Sequence, residues 1–194
     1  MPIIKFYILL FISTLRFYLN KFSNQNINKI FNTNFSKQPY KGYRIDYIDP
    51  WIDREKLVND EEPQRVEHEA TKEELRRAQM YVLLNIKYEK EEVNYWKTSY
   101  ETFNDGYGDC EDQAFAIYKT LRNMGIYKDR LGIVLIKGHA FACYYFSDND
   151  FYIIDNGYVT LNIAKASEVF PVYRSNEYKE PIIGFNLEEK WNYV

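Results

Sequence analysis

Cysteine and histidine are scarce in this chain, and that scarcity narrows the chemistry it can do. Among 194 residues there are two cysteines, Cys110 and Cys143, and two histidines, His68 and His139. Cys110 lies in the run GDCED, directly after the turn-forming stretch NDGYG. Placed in the first turn of a helix, a cysteine faces unpaired backbone N–H groups and a partial positive charge, both of which favour the thiolate. An imidazole can hold the thiol proton and return it to a leaving group. A carboxylate can fix that imidazole in one tautomer. His139 and Asp155 follow Cys110 in that order and complete a candidate catalytic triad. The Cys110 backbone N–H is a candidate oxyanion donor, and a second donor is expected from residues 95–107, with Trp96 the first candidate. Taken singly, a cysteine on the inner face of a helix is usually a small buried residue, and a histidine on a strand is usually structural. The ordered combination, with GDC at a helix start, is what selects catalysis. Cys143 and His68 take the ordinary readings: a packed strand residue near the site and a surface residue without a partner pattern.

The elements needed to position these groups can be read from spacing. Thr71 and Glu74 have capping-box spacing, and Leu75, Ala78, Val82 and Ile86 mark one apolar face of a helix expected to end near Glu92. A second helix is expected over residues 109–124, with Gly125 in the left-handed position after it. Its inner face would carry Cys110, Ala114, Ile117, Leu121 and Met124. Three strands follow. Residues 131–136 are continuously apolar, as in a central strand, and residues 139–146 and 151–155 flank SDND in a hairpin. Alternate strand residues share a face. A regular two-residue connection at Asp148–Asn149 would set Asp155 opposite Ala142, away from His139. An odd loop, or one bulge between Phe146 and Phe151, would set it opposite Cys143 and on the His139 face. The triad therefore predicts such an irregularity.

The acids beside Cys110 work against it. Asp109, Glu111 and Asp112 should raise the thiol pKa. They can be helix caps, or they can hold a hard cation such as Ca²⁺, with carbonyls and water completing the shell. A bound cation would cancel their field at the sulfur. No organic cofactor is implied.

Nearly half of the residues are apolar, enough for one domain with a core. The net charge of −3, mixed along the chain, builds no basic face for nucleic acid. Two cysteines make no disulfide framework, and no cysteine–histidine cluster suggests zinc. Residues 1–60 read as an N-terminal extension and 61–194 as the catalytic domain. Within the extension, residues 6–15 are an apolar run too short for a bilayer span, which needs roughly 20 residues. A signal-peptide core, an interfacial anchor within residues 1–22, and an ordinary buried helix all stay open, so exported, membrane-associated and cytoplasmic or phage-encoded settings do too. Residues 20–40 are an Asn-rich linker. Residues 43–51 suggest a short strand before Pro50, and residues 59–69 a polar loop.

GDCEDQAFAIYKTLRNMGI resembles the core motif of the bacterial transglutaminase-like cysteine proteinases. NYWKTSYETF resembles that family's lead-in, GHAFACYY its histidine strand, FYIIDN its aspartate strand, and VFPVYRSN with Trp191 its C-terminal signature. The resemblance spans residues 71–191. It implies a papain-like α+β fold, the nucleophile helix packed on an antiparallel sheet, with Cys110, His139 and Asp155 as triad. It also implies Ca²⁺-dependent activity with Asp109, Glu111 and Asp112 as ligands, cleavage of a protein substrate, and regulation through a membrane receptor. The short stretch between Cys110 and His139 and the N-terminal region depart from the family pattern. Three functions are consistent with this reading: a cysteine peptidase, transglutaminase-type acyl transfer by the same triad, and a non-catalytic protein keeping the fold.

Overall fold

The apolar run Leu131–Ile136 is the middle strand of a seven-stranded antiparallel sheet. In this computed structural model the described residues are 37–39, 47–58, 66–90, 95–136, 138–147, 150–155, 163–166 and 182–193. The apolar run at 6–15, most of the Asn-rich stretch, Asp148–Asn149 and the 169–176 segment lie outside them. In chain order the elements are β1 (Lys37–Pro39), α1 (Ile48–Val58), α2 (Lys72–Asn85), β2 (Lys87–Tyr88), α3 (Ser99–Asp105), β3 (Tyr107–Gly108), α4 (Cys110–Asn123), β4 (Leu131–Ile136), β5 (His139–Ser147), β6 (Asp150–Ile154), β7 (Ala164–Lys165), β8 (Ile182–Phe185) and β9 (Lys190–Tyr193). The strand order is β1-β9-β8-β4-β5-β6-β7, and β2 and β3 form a separate parallel pair.

Strand alternation divides the apolar side chains between two faces. Leu131, Ile133, Ala140, Ala142, Tyr144 and Ile154 pack with the helices in one core. Val134, Phe141, Cys143, Tyr145, Phe151, Ile153 and Trp191 form a second cluster on the other face. Cys143 is fully buried there, which fits its structural reading. The helix α4 runs between the sheet and the pair α2 and α3. Its burial is therefore wider than one stripe: Phe115, Ala116 and Tyr118 are buried along with Ala114, Ile117 and Leu121.

Several expectations need correction. Thr71 does cap α2 in a full capping box with Glu74, but the helix stops at Asn85 rather than near Glu92. Lys87 and Tyr88 leave the helix to pair with Tyr107 and Gly108. His68 is not a partnerless surface residue. Its Nε2 lies 3.0 Å from Glu74 Oε1, and its backbone bridges to Ile126. Pro50 follows a helix start, not a strand. Its fixed φ and missing N–H are tolerated in the first turn of α1. That helix buries Ile48 and Trp51 in the same core as α2 and α4, so a division at residue 60 does not coincide with an edge of the core. The turn expected at residues 104–108 is the end of a helix, α3. Gly106, with φ of 71°, reverses the chain there. No helix among the described residues is long and apolar enough to cross a membrane.

Candidate active site

The hairpin β4–β5 places His139. Ile136 pairs with His139, and Gly138, at φ 71°, supplies the left-handed turn residue between the strands. His139 is thus the first residue of β5. Its ring lies on the side of Phe141, 6.1 Å between centroids.

The hairpin β5–β6 places Asp155, and it is irregular as the triad requires. Ser147 pairs with Asp150, whereas Tyr145 pairs with Phe151 and Ala142 with Ile154. The shift falls between Tyr145 and Ser147. The extra residue, Phe146, therefore lies in β5, not in the connection or in β6. Continued, this register sets Asp155 level with Phe141 rather than opposite Cys143. The parity is nevertheless that of His139, and the two side chains meet. His139 Nε2 is 2.9 Å from Asp155 Oδ1. Gln79, buried on α2, donates from Nε2 to the Asp155 carbonyl at 2.6 Å and anchors the end of β6 to the helix layer. A glutamine beside an apolar helical stripe was the available signal for that contact.

Asp155 is nearly buried. Burial opposes a charged imidazole, but the hydrogen bond and charge of Asp155, with the charge of Glu111, outweigh it and hold the His139 pKa above its usual value.

Cys110 opens α4, half-buried, with Asp109 at the N-cap position. The backbone N–H of Ala140, the residue after His139, donates to its sulfur. The start of α4 and the start of β5 therefore meet at this thiol. The thiol itself is suppressed. Burial is the largest cause, followed by the Glu111 hydrogen bond and charge and by the charge of Asp109. The Ala140 N–H only partly compensates, and the pKa is pushed up to about 12. Cys110 Sγ donates to Glu111 Oε2 at 3.0 Å.

The three acids beside the thiol have separate roles. Asp109 sits at the N-cap, but its side chain makes no cap hydrogen bond. Its carboxylate, that of Glu111 and the Cys110 sulfur lie within 4.8 Å of one another. Asp112 turns inward, fully buried, and its Oδ1 accepts from the Lys97 backbone N–H at 2.9 Å. Gly108 is glycine because of this carboxylate: a Cβ there would lie 2.6 Å from Asp112 Cβ and Oδ2. The donor set at the thiol is thus two hard carboxylates, Asp109 and Glu111, which suits a hard cation. Tyr88, on β2, lies in the field of Cys110, Asp109 and Glu111, and its hydroxyl pKa is raised, by burial first and then by these charges.

Trp96 stacks in an aromatic cluster. Its ring centroid is 5.5 Å from Phe115, 5.9 Å from Tyr47 and 6.3 Å from Phe185. Its carbonyl accepts from Arg54. These are the contacts of a packing residue under α4.

Helices on an antiparallel sheet, with Cys110 at a helix start, His139 at the start of one strand and Asp155 directly after the neighbouring strand, define a transglutaminase-like α+β fold. Among solved structures the chain is similar to LapG of Legionella pneumophila. With calcium-bound LapG it shares 25% identity at a TM-score of 0.50, over 79% of this chain and 81% of LapG. EGTA-treated LapG gives the same identity and TM-score over 79% of each chain. The sequence matches no family model and no curated protein.

Proposed function

We propose that this protein is a cysteine peptidase that cleaves a peptide bond in a protein substrate with Cys110, His139 and Asp155. The reading rests above all on the His139–Asp155 bond, on the strand whose next N–H meets the Cys110 sulfur. With Nε2 engaged by Asp155, Nδ1 is the ring nitrogen left to take the thiol proton. The thiolate then adds to the substrate carbonyl. The Cys110 backbone N–H, in the first turn of α4, stabilises the oxyanion. His139 returns the proton to the departing amine, leaving an acyl-enzyme. Water, activated by the same imidazole, releases the acid and restores the thiol.

The suppressed thiol requires a remedy, and Asp109 and Glu111 supply one. Their carboxylates would hold Ca²⁺, with backbone carbonyls and water filling the shell. Bound there, the cation would neutralise the acids that add to burial in raising the thiol pKa. The calcium-bound state of LapG supports this reading.

The test compares wild type with Cys110→Ala. Each is incubated with host-cell protein and Ca²⁺, and new protein termini and cross-links are identified by mass spectrometry. New termini only with wild type are expected. Glutamine–amine cross-links in their place would assign acyl transfer instead. Identical products from both proteins would refute a Cys110 enzyme of either kind.

A further inference from the structure

We propose that Lys97 is a positioning residue for the nucleophile, a role that rests on the peptidase reading above. Lys97 is a buried lysine, its side chain 8% exposed. Its Nζ lies 3.2 Å from Asp105 Oδ2 and donates to the Tyr107 carbonyl at 3.2 Å. The ammonium also stands 3.8 Å from the centroid of the Tyr107 ring. Asp105 ends α3 and Tyr107 begins β3, so all three contacts fall on the reversal that leads into Cys110. The backbone N–H of the same lysine holds Asp112, in the first turn of α4. One residue therefore grips the chain on both sides of Asp109–Cys110–Glu111.

The choice of residue matters. A buried ammonium loses its hydration, and an apolar side chain of similar size often serves stability as well or better. What an apolar residue cannot do is draw a carbonyl and a carboxylate of one turn toward a single point. Around Gly106, which takes the left-handed conformation and brings no side chain to the turn, that convergence sets where β3 ends and α4 begins. It thereby sets the direction of the Cys110 side chain. Nucleophile placement is steeply rewarded: an error of about 1 Å can lower rates about 100-fold.

The experiment measures the second-order rate of Cys110 alkylation by iodoacetamide, with Ca²⁺ present, together with the melting temperature. The proteins are wild type, His139→Ala, Lys97→Met and Lys97→Arg. Lys97→Met is expected to react about tenfold more slowly than wild type while remaining folded. Lys97→Arg, which keeps donors for the Tyr107 carbonyl and Asp105, should recover most of the rate. A purely structural role would lower the melting temperature and leave the rate per folded molecule unchanged, and that result would overturn the proposal. If Lys97→Met does not fold, Asp105→Asn removes one partner of the ammonium at a half-exposed site, and an unchanged rate there is equally fatal. Wild type reacting no faster than His139→Ala would refute the peptidase reading itself, and the proposal with it.

Discussion

At the scale of single residues, the site is a set of opposed charges. Asp155 raises the His139 pKa, and burial, followed by Glu111 and Asp109, raises that of Cys110. The first shift suits a base held ready for a proton. The second, left alone, suits an inert thiol. Asp155→Asn separates the two. It should lower proteolytic turnover by about 10²–10⁴-fold, because the imidazole loses the partner that fixes its tautomer. It also carries a signed pH effect. A raised histidine pKa stabilises the folded state below the unfolded value near 6.5, and that contribution disappears as pH rises through the folded pKa. Wild type should therefore lose melting temperature relative to Asp155→Asn as pH rises from 6.5 through the folded His139 pKa. Parallel melting curves for the two proteins across that window would show that the carboxylate does not act on His139.

At the scale of elements, close packing of backbone against side chain decides the sheet. Gly184 on β8 pairs with Trp191 on β9, and a Cβ at Gly184 would lie 2.1 Å from the indole Nε1. The indole also covers Gly132 on β4 and meets the Tyr145 ring edge-on at 5.7 Å. Gly184→Ala must displace the tryptophan or part the strands. A loss of about 1–3 kcal/mol is expected from chemical denaturation, and an unchanged midpoint would contradict this packing. The same scale explains the short α2. Gln113 donates to the Ile86 carbonyl at 3.0 Å, and Lys87 donates to the Gly106 carbonyl at 2.9 Å. Both bonds draw the chain off the helical path toward β3.

At the scale of the whole molecule, Cys110 stands where layers meet: α4 from the helical layer, β5 from the sheet, and α3 with β3 closing the turn between. A cation held by Asp109 and Glu111 would bind at that junction and stabilise the folded chain by mass action, about 2.7 kcal/mol at a hundredfold excess over Kd. Ca²⁺ should raise the melting temperature, EGTA should reverse the rise, and Asp109→Asn with Glu111→Gln should abolish it. No calcium response in the wild-type protein would remove the cation from the mechanism. His68 shows how context changes a residue at this scale. It looks isolated in an acidic loop, yet it joins the capping box of α2 through Glu74.

What the sequence alone determined is what neighbours along the chain decide. Capping chemistry marked the start of α2 at Thr71, the glycine after Met124 marked the end of α4, and unbroken apolarity marked β4 as central. Strand parity went further: a contact between His139 and Asp155 required an irregular hairpin before any contact was known. Only the tertiary structure decided which side of that hairpin holds the extra residue, because the register depends on how Phe146 and its neighbours pack across β5 and β6. Only the structure separated the three acids around Cys110. They are chemically alike in sequence, but burial and the Lys97 backbone N–H claim Asp112, while Asp109 and Glu111 stay gathered at the sulfur. Lys97 carried no sign of this role in the sequence. Its partners matter only once the chain has folded back at Gly106, because charge acts through distance in space rather than position along the chain.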